Sequence, residues 1–342
     1  MTEHFWLGMA IIFVGGALNG SFALPMKYVR SWRHENTWLV FTAIALLILP
    51  WVLAAGFVSN LGSIFHAASA RALFLPLTFG LLWGVAMVTF GIGLSAVGIA
   101  LAFTVVAGLS CVFGSLIPLL VLHPADLFRP RGLLLLASLP LLVLGLVCYG
   151  TAGRRREKQQ AASEQPSGVA PLSFLVGLGV CIFTGIFGAN INLGFAFGGE
   201  LLRKSLEQGA STVTSTYPVW ALVLGAGFIP NMIYCCYLLF RNRTWSVFGR
   251  KGAGFELFLA IVMALLWLGG MVGYGIGANL VGKFGTSLGY ALTVTAAVLA
   301  SNTIGVLTGE WKGVSYKTKR LVVAAVVLVL ASAVVLNLGG LF

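Results

Sequence analysis

Residues 81–98 read LLWGVAMVTFGIGLSAVG, and residues 265–282 read LLWLGGMVGYGIGANLVG. Ten of the 18 positions are identical at a constant offset of 184, including Trp83 with Trp267 and a shared Gly-Ile-Gly. A second match lies upstream. Asn19-Gly-Ser-Phe22-Ala23 aligns with Asn192-Leu-Gly-Phe195-Ala196 at an offset of 173. The chain therefore carries an internal repeat of about half its 342 residues.

Each copy contains five long apolar runs. A helix needs about 20 mostly apolar residues to cross a bilayer. Ten such runs are predicted: 6–26, 38–57, 73–94, 99–122, 133–151, 172–197, 217–240, 255–280, 284–308 and 321–341. Five is odd, so the two copies must enter the membrane with opposite orientations. The expectation is an all-α integral membrane protein of ten helices in two inverted-topology five-helix repeats, the recurring build of secondary transporters. The first repeat spans 1–151, a basic cytoplasmic linker 152–171, and the second repeat 172–342.

Composition points the same way. Hydrophobic residues make up 59% of the chain and charged residues 9%, and the mean hydropathy is +0.99. No single soluble core buries that much apolar surface. The net charge of +12 is a record of topology and not of nucleic-acid binding. Six of the 21 basic residues (Arg71, Arg129, Arg131, Arg203, Lys204, Lys283) fall on one side of the predicted spans and the other 15 on the opposite side. The richer side is cytoplasmic by the positive-inside rule, which puts both termini in the periplasm. Only Glu3 and His4 precede the first run as charged or titratable side chains, so it reads as a retained span and not as a cleaved signal. The five cysteines all sit in apolar runs, with no Cys-x-x-Cys, and predict neither disulfides nor a metal site.

The spans contain few groups with chemistry. Trp83, Met87 and Phe90 share a helix face, and Trp267, Met271 and Tyr274 repeat that stripe. Together they predict aromatic walls around a central cavity, suited to the C–H face of a sugar ring. Helix packing explains the same stripe equally well. Asn19, Asn190, Asn192 and Asn279, with Ser287, Tyr290, Thr293 and Asn302, supply amides and hydroxyls that must face protein or water. Phe22 lies beside Asn19 in the repeated motif. Of the nine acids only Glu256 falls inside a predicted span, near its start, and Lys27 and Lys283 lie at span ends. An ionic substrate needs a fixed counter-charge in the membrane. Its absence favours a small neutral sugar or polyol. Glu256, Lys27 and Lys283 are the candidates for coupling to a proton, or to sodium in its place. The 44 glycines let helices approach closely. No Walker A motif, metal cluster, cofactor motif or hydrolase signature is present, so the expectation is a gradient-driven carrier and not an enzyme, with no cofactor.

The chain resembles the bacterial L-rhamnose–proton symporter family of the drug/metabolite transporter superfamily. The resemblance rests on ALPMKYVRSWRHENTW (23–38), Leu49-Pro50-Trp51, FGLLWG (79–84) with the following FGIG, the Arg-rich central loop, GIFGANINLGFA (185–196) and Glu310-Trp311. It implies ten helices in two inverted repeats, a central cavity lined mainly by spans 1–4 and 6–9, and sugar uptake. The inverted repeat predicts alternating access, and the expected setting is a bacterial inner membrane, as a monomer or homodimer. An uncoupled or exporting small-metabolite carrier of the same fold is the alternative.

Overall fold

The computed structural model describes residues 4–97, 99–160, 174–309 and 312–338. Among them no strand occurs, and ten helices are long and apolar enough to cross a membrane. They are α1 (Phe5–Tyr28), α2 (His34–Phe57), α3 (Ala70–Val97), α4 (Ile99–Leu122) and α5 (Pro130–Gln160), then α6 (Leu175–Glu207), α7 (Tyr217–Arg241), α8 (Ala253–Val281), α9 (Gly285–Leu307) and α10 (Tyr316–Leu338). The arginines of the central segment, Arg154 to Arg156, continue α5 as helix, and residues 161–173 lie outside the described residues, as do Glu310 and Trp311.

Three helices are interrupted, each for a local reason. α1 is regular to Ser21, breaks at Phe22-Ala23 and ends in a 3₁₀ turn, Leu24–Tyr28, with Pro25 in its first positions. α6 breaks at the matching place: Asn190–Ala196 stops before Phe197-Gly198, and the amphipathic Gly199–Glu207 follows. In α2, a π segment (Ala43–Ile48) immediately precedes Pro50, which has no N–H to give the regular ladder. The sequence expectation placed the start of α2 at Trp38. The helix begins four residues earlier, at His34, where the Asn36 side chain accepts from the Arg33 N–H at 3.3 Å. Glu35 is thereby drawn into the first helical turn and buried.

The helices pack in a regular scheme. α1 lies against α8 and α9, while α6 lies against α3 and α4. α3 contacts α7, and α8 contacts α2. The pairs α2–α7, α4–α9 and α5–α10 also touch. Adding five to each helix number maps this set onto itself. Close approach depends on glycine. A Cβ on Gly8, Gly15, Gly16 or Gly20 of α1 would lie 2.2–2.9 Å from a backbone oxygen of α8 or α9. On α3, a Cβ at Gly80 or Gly84 would lie 2.1 or 2.4 Å from a carbonyl of α7. α8 and α9 nearly touch in sequence because Gly282 adopts φ +84, which ends α8 and reverses the chain within three residues. The outward faces carry large exposed side chains such as Phe13, Phe57, Phe74, Phe240 and Val327, a surface suited to lipid.

Buried carboxylates fasten the helix ends. Glu35 accepts from Asn242 (3.0 Å) and Thr244 (2.8 Å), tying α2 to the turn after α7. Asp126, before α5, pairs with Lys283 in the α8–α9 turn and with Arg129 at 3.1 Å. Hydrogen bonding from Lys283, with the charges of Lys283 and Arg129, holds its carboxyl below the usual carboxylate range.

Candidate functional site

A cavity of about 270 Å³ lies at the centre of the bundle. α1, α2, α3, α4, α6, α8 and α9 contribute its lining, while α5 and α10 pack against one another at the side. No charged residue is among the described residues that line it. At one end of the cavity stand Phe22 and Trp38, where α1 turns into α2. In the middle are Trp83, Met87, Trp267 and Met271, and towards the far end stands Tyr290. Trp38 is held by its indole N–H, which donates to Asn231 Oδ1 at 3.2 Å.

The far end is sealed. Phe195 and Trp220 stack with centroids 4.6 Å apart at 13°, and Tyr274 packs on both at 5.5 and 6.1 Å. All three are buried. Tyr274 donates to Asn192 Oδ1. The Asn192 amide in turn donates to the carbonyls of Gly114 (2.6 Å) and Thr286 (3.1 Å). One side chain of α6 thus joins α4, α8 and α9, with every polar position of its amide used.

The sequence-predicted residues separate into two groups. Asn19, Phe22, Trp83, Trp267 and Tyr290 line the cavity. Asn192 and Tyr274 belong to the seal, and Ser287 is buried without lining the cavity. Asn190 bonds the Phe187 carbonyl at 2.7 Å within its own helix. Asn279 donates to Thr212 O (2.8 Å) and Ser215 Oγ (3.3 Å), away from the cavity lining. The two stripes were expected to give a pair of aromatic walls around the cavity, and the tryptophans of both are in contact. Trp83 and Trp267 stack on each other, 5.7 Å between centroids at 25°. That is already direct ring contact, so no sugar ring fits between them. They form one wall. Trp38, Phe103 and Ser110 line the cavity without having been singled out. Trp38 lies inside a quoted motif, but Phe103 and Ser110 sit in an apolar run with no distinguishing pattern.

Two polar groups at the cavity are unengaged. The Asn19 Nδ2 is buried with no hydrogen-bond partner. The Tyr290 hydroxyl has no partner among the described residues, whereas Ser110 and Thr293 are satisfied by the carbonyls of Gly185 and Gly289 at 2.8 Å each. A buried donor left open in this way requires an acceptor from elsewhere.

The coupling candidates lie outside the cavity lining. Glu256, in the first turn of α8 and buried, accepts on Oε1 from the N–H groups of Arg30 (3.0 Å) and Ser31 (2.8 Å) and from Ser31 Oγ (2.8 Å). Its Oε2 is buried without a partner. Lys27 donates to Thr308 Oγ1 at 2.9 Å, and Lys283 is the partner of Asp126.

Ten membrane-spanning helices packed round a charge-free aromatic cavity define a multi-pass membrane transporter. A model of the family described as L-rhamnose-proton symport protein matches residues 1–341, and the chain belongs to that family. It is similar to the L-rhamnose-proton symporter of Pectobacterium atrosepticum, 23% identical over 347 aligned positions covering 99% of both chains. The symporters of Mannheimia succiniciproducens (21% identical, 97% of both chains) and Cronobacter sakazakii (20% identical, 99% of both chains) are also similar to it.

Proposed function

We propose that this chain takes up a neutral, rhamnose-like deoxysugar together with a proton by alternating access. The observation that carries the reading is the central cavity. It has no charge, one broad indole wall, and an unengaged amide and hydroxyl at Asn19 and Tyr290. A deoxyhexose offers matching surfaces. Its methyl and C–H face suits Trp83 and Trp267, and its hydroxyls can accept from Asn19 and pair with Tyr290. The family and the names of its relatives support rhamnose as the solute and the proton as the driving ion.

The halves 1–151 and 172–342, joined by the basic segment 152–171, form an inverted pair in this reading. The sequence repeat, the matching breaks in α1 and α6, and the self-mapping contact scheme support it. With the basic loops inside, both termini are periplasmic, the membrane is the bacterial inner membrane, and the end at Phe22 and Trp38 is cytoplasmic. The cavity then reaches towards the cytoplasm, and the Phe195–Trp220–Tyr274 seal closes the periplasmic side. Glu256 is the coupling residue we favour, because its second carboxylate oxygen is buried and unpaired at the α1–α2 turn.

One observation favours the uncoupled carrier instead: among the described residues no carboxylate or histidine lines the cavity. Proteoliposomes separate the two. Uptake of labelled L-rhamnose that rises with an inwardly directed proton gradient is expected for the symporter. An unchanged rate would establish the uncoupled carrier, and no uptake under either condition would remove the sugar.

A further inference from the structure

Asn19 and Asn192 are equivalent residues of the two repeats, yet their amides are in opposite states. Asn192 is fully engaged in the seal, and Asn19 Nδ2 has no partner. The anchor of Asn192 explains how it is held. The Gly114 carbonyl in α4 is open because Pro118, four residues on, has no N–H to close the helical bond. Asn192 fills that vacancy at 2.6 Å.

In the second repeat, the offset of 184 places Val298 and Asn302 of α9 where Gly114 and Pro118 stand. The packing agrees. Gly20, next to Asn19, meets Ala297 across the α1–α9 seam, next to Val298. Asn302 keeps its backbone N–H, and its Nδ2 also donates to the Val298 carbonyl, at 2.8 Å. The side-chain amide of Asn302 therefore sits within one hydrogen bond of that carbonyl, at the level where Gly114 meets Asn192 in the other half. Its Oδ1 is buried and has no partner. An open donor on α1 and an open acceptor on α9 thus occupy the positions that, in the first repeat's α4 and the second repeat's α6, are joined.

We infer that Asn19 and Asn302 form the latch of the cytoplasmic gate, closing when the periplasmic seal opens. The inference rests on the inverted-repeat reading above. In that second state Asn19 donates to Asn302 Oδ1 across the α1–α9 seam, which is already packed at the level of Val298, and Phe22 and Trp38 close over the cavity. Asn192 is released and faces the substrate in its turn. Asn302 is a positioning residue, which acts through the gate and not on the sugar.

The test is a paired Asn19→Cys/Asn302→Cys variant with Cys111, Cys148, Cys181, Cys235 and Cys236 replaced, in proteoliposomes. Because Asn19 itself faces the sugar, the paired variant is read by its link and not by its transport. Oxidation is expected to form a cross-link seen as a gel shift and reversed on reduction. A paired variant that elutes and melts like the parent chain but forms no link, even with a short bifunctional thiol reagent, overturns the latch. The gel shift is read without any sugar. A link in the paired variant, together with no L-rhamnose exchange by the unaltered chain, therefore leaves the latch standing and removes the substrate reading. Asn302→Leu in the otherwise unaltered chain is the second arm. It is expected to slow exchange about tenfold at unchanged sugar Kd, the effect of one lost hydrogen bond. A wild-type rate, or a tenfold weaker Kd at wild-type rate, also overturns the proposal.

Discussion

Gly20→Ala tests whether the α1–α9 seam is closed by backbone contact. A Cβ at position 20 would lie 2.2 Å from the Ala297 carbonyl oxygen and 2.8 Å from its Cα. Ordinary contact begins near 3.4 Å, so the helices must part by about 1.2 Å. The obstacle is backbone, which cannot rotate aside. Overpacking of this kind costs about 3 kcal/mol at the upper end of its range, and replacing a helix-interior glycine recovers about 1 kcal/mol. The net expectation is a loss of about 2 kcal/mol. Gly179→Ala is the control. It too lies inside a helix, but nothing stands within 4 Å of its Cβ position, so it gains up to about 1 kcal/mol. At about 2.1 cal/mol/K of unfolding entropy per residue, a gap of about 3 kcal/mol corresponds to roughly 4 °C in Tm for a chain of 342 residues. Thermal unfolding of the two purified variants in one detergent measures it. Equal Tm values would refute the close-packed seam, and with it the register that aligns Asn19 with Val298.

Tyr290→Phe removes the unengaged hydroxyl at the cavity and is expected to weaken sugar binding about fivefold, one hydrogen bond, with Tm unchanged; titration of the purified protein with L-rhamnose checks it. Asp126→Asn breaks the pairs with Lys283 and Arg129. Because the folded-state carboxyl titrates below its ordinary value, the wild-type advantage in Tm should be complete at neutral pH. It should shrink as pH falls below about 4 and vanish once Asp126 is protonated. A Tm difference that stays constant down to pH 3 would count against the ion pair. Glu256→Gln keeps a side-chain carbonyl to accept from Arg30 and Ser31 but cannot exchange a proton. Uptake with an imposed proton gradient should then fall to the level without one, and a retained response would clear Glu256 of coupling.

The fold was legible because lipid imposes a simple rule. Each span is a run of about 20 apolar residues whatever its neighbours do, and all ten are present at or near their expected positions. Helix ends shift more, and one of them, the start of α2, shows where the rule stops. His34, Glu35 and Asn36 look like loop residues by polarity, yet all three are helical and the last two are buried, because Asn242 and Thr244, some 200 positions later, supply partners for Glu35 and Asn36. Only the folded chain brings those partners together. Helix faces were legible for the same reason as spans. Trp83 and Trp267 do point to the centre, but a sequence stripe carries no distance between facing helices. It could not separate two aromatic walls from one wall built of two indoles in contact.

The asparagines set a different limit. In the inverted-repeat reading Asn19 and Asn192 are equivalent, and a two-state carrier holds equivalent residues in unequal environments at any moment. The repeat is inexact where it matters most. Pro118 frees the carbonyl that captures Asn192, while the matching Asn302 covers its own carbonyl and offers a side-chain oxygen instead. The two gates then close on different acceptors, a bare carbonyl on one side and an amide on the other. An amide can turn about its side-chain torsions, and a helix carbonyl cannot. The cytoplasmic latch should therefore be the more readily adjusted of the two, and substitutions at 302 should shift the balance between states more than any substitution of the fixed Gly114 carbonyl's neighbours that leaves Pro118 in place.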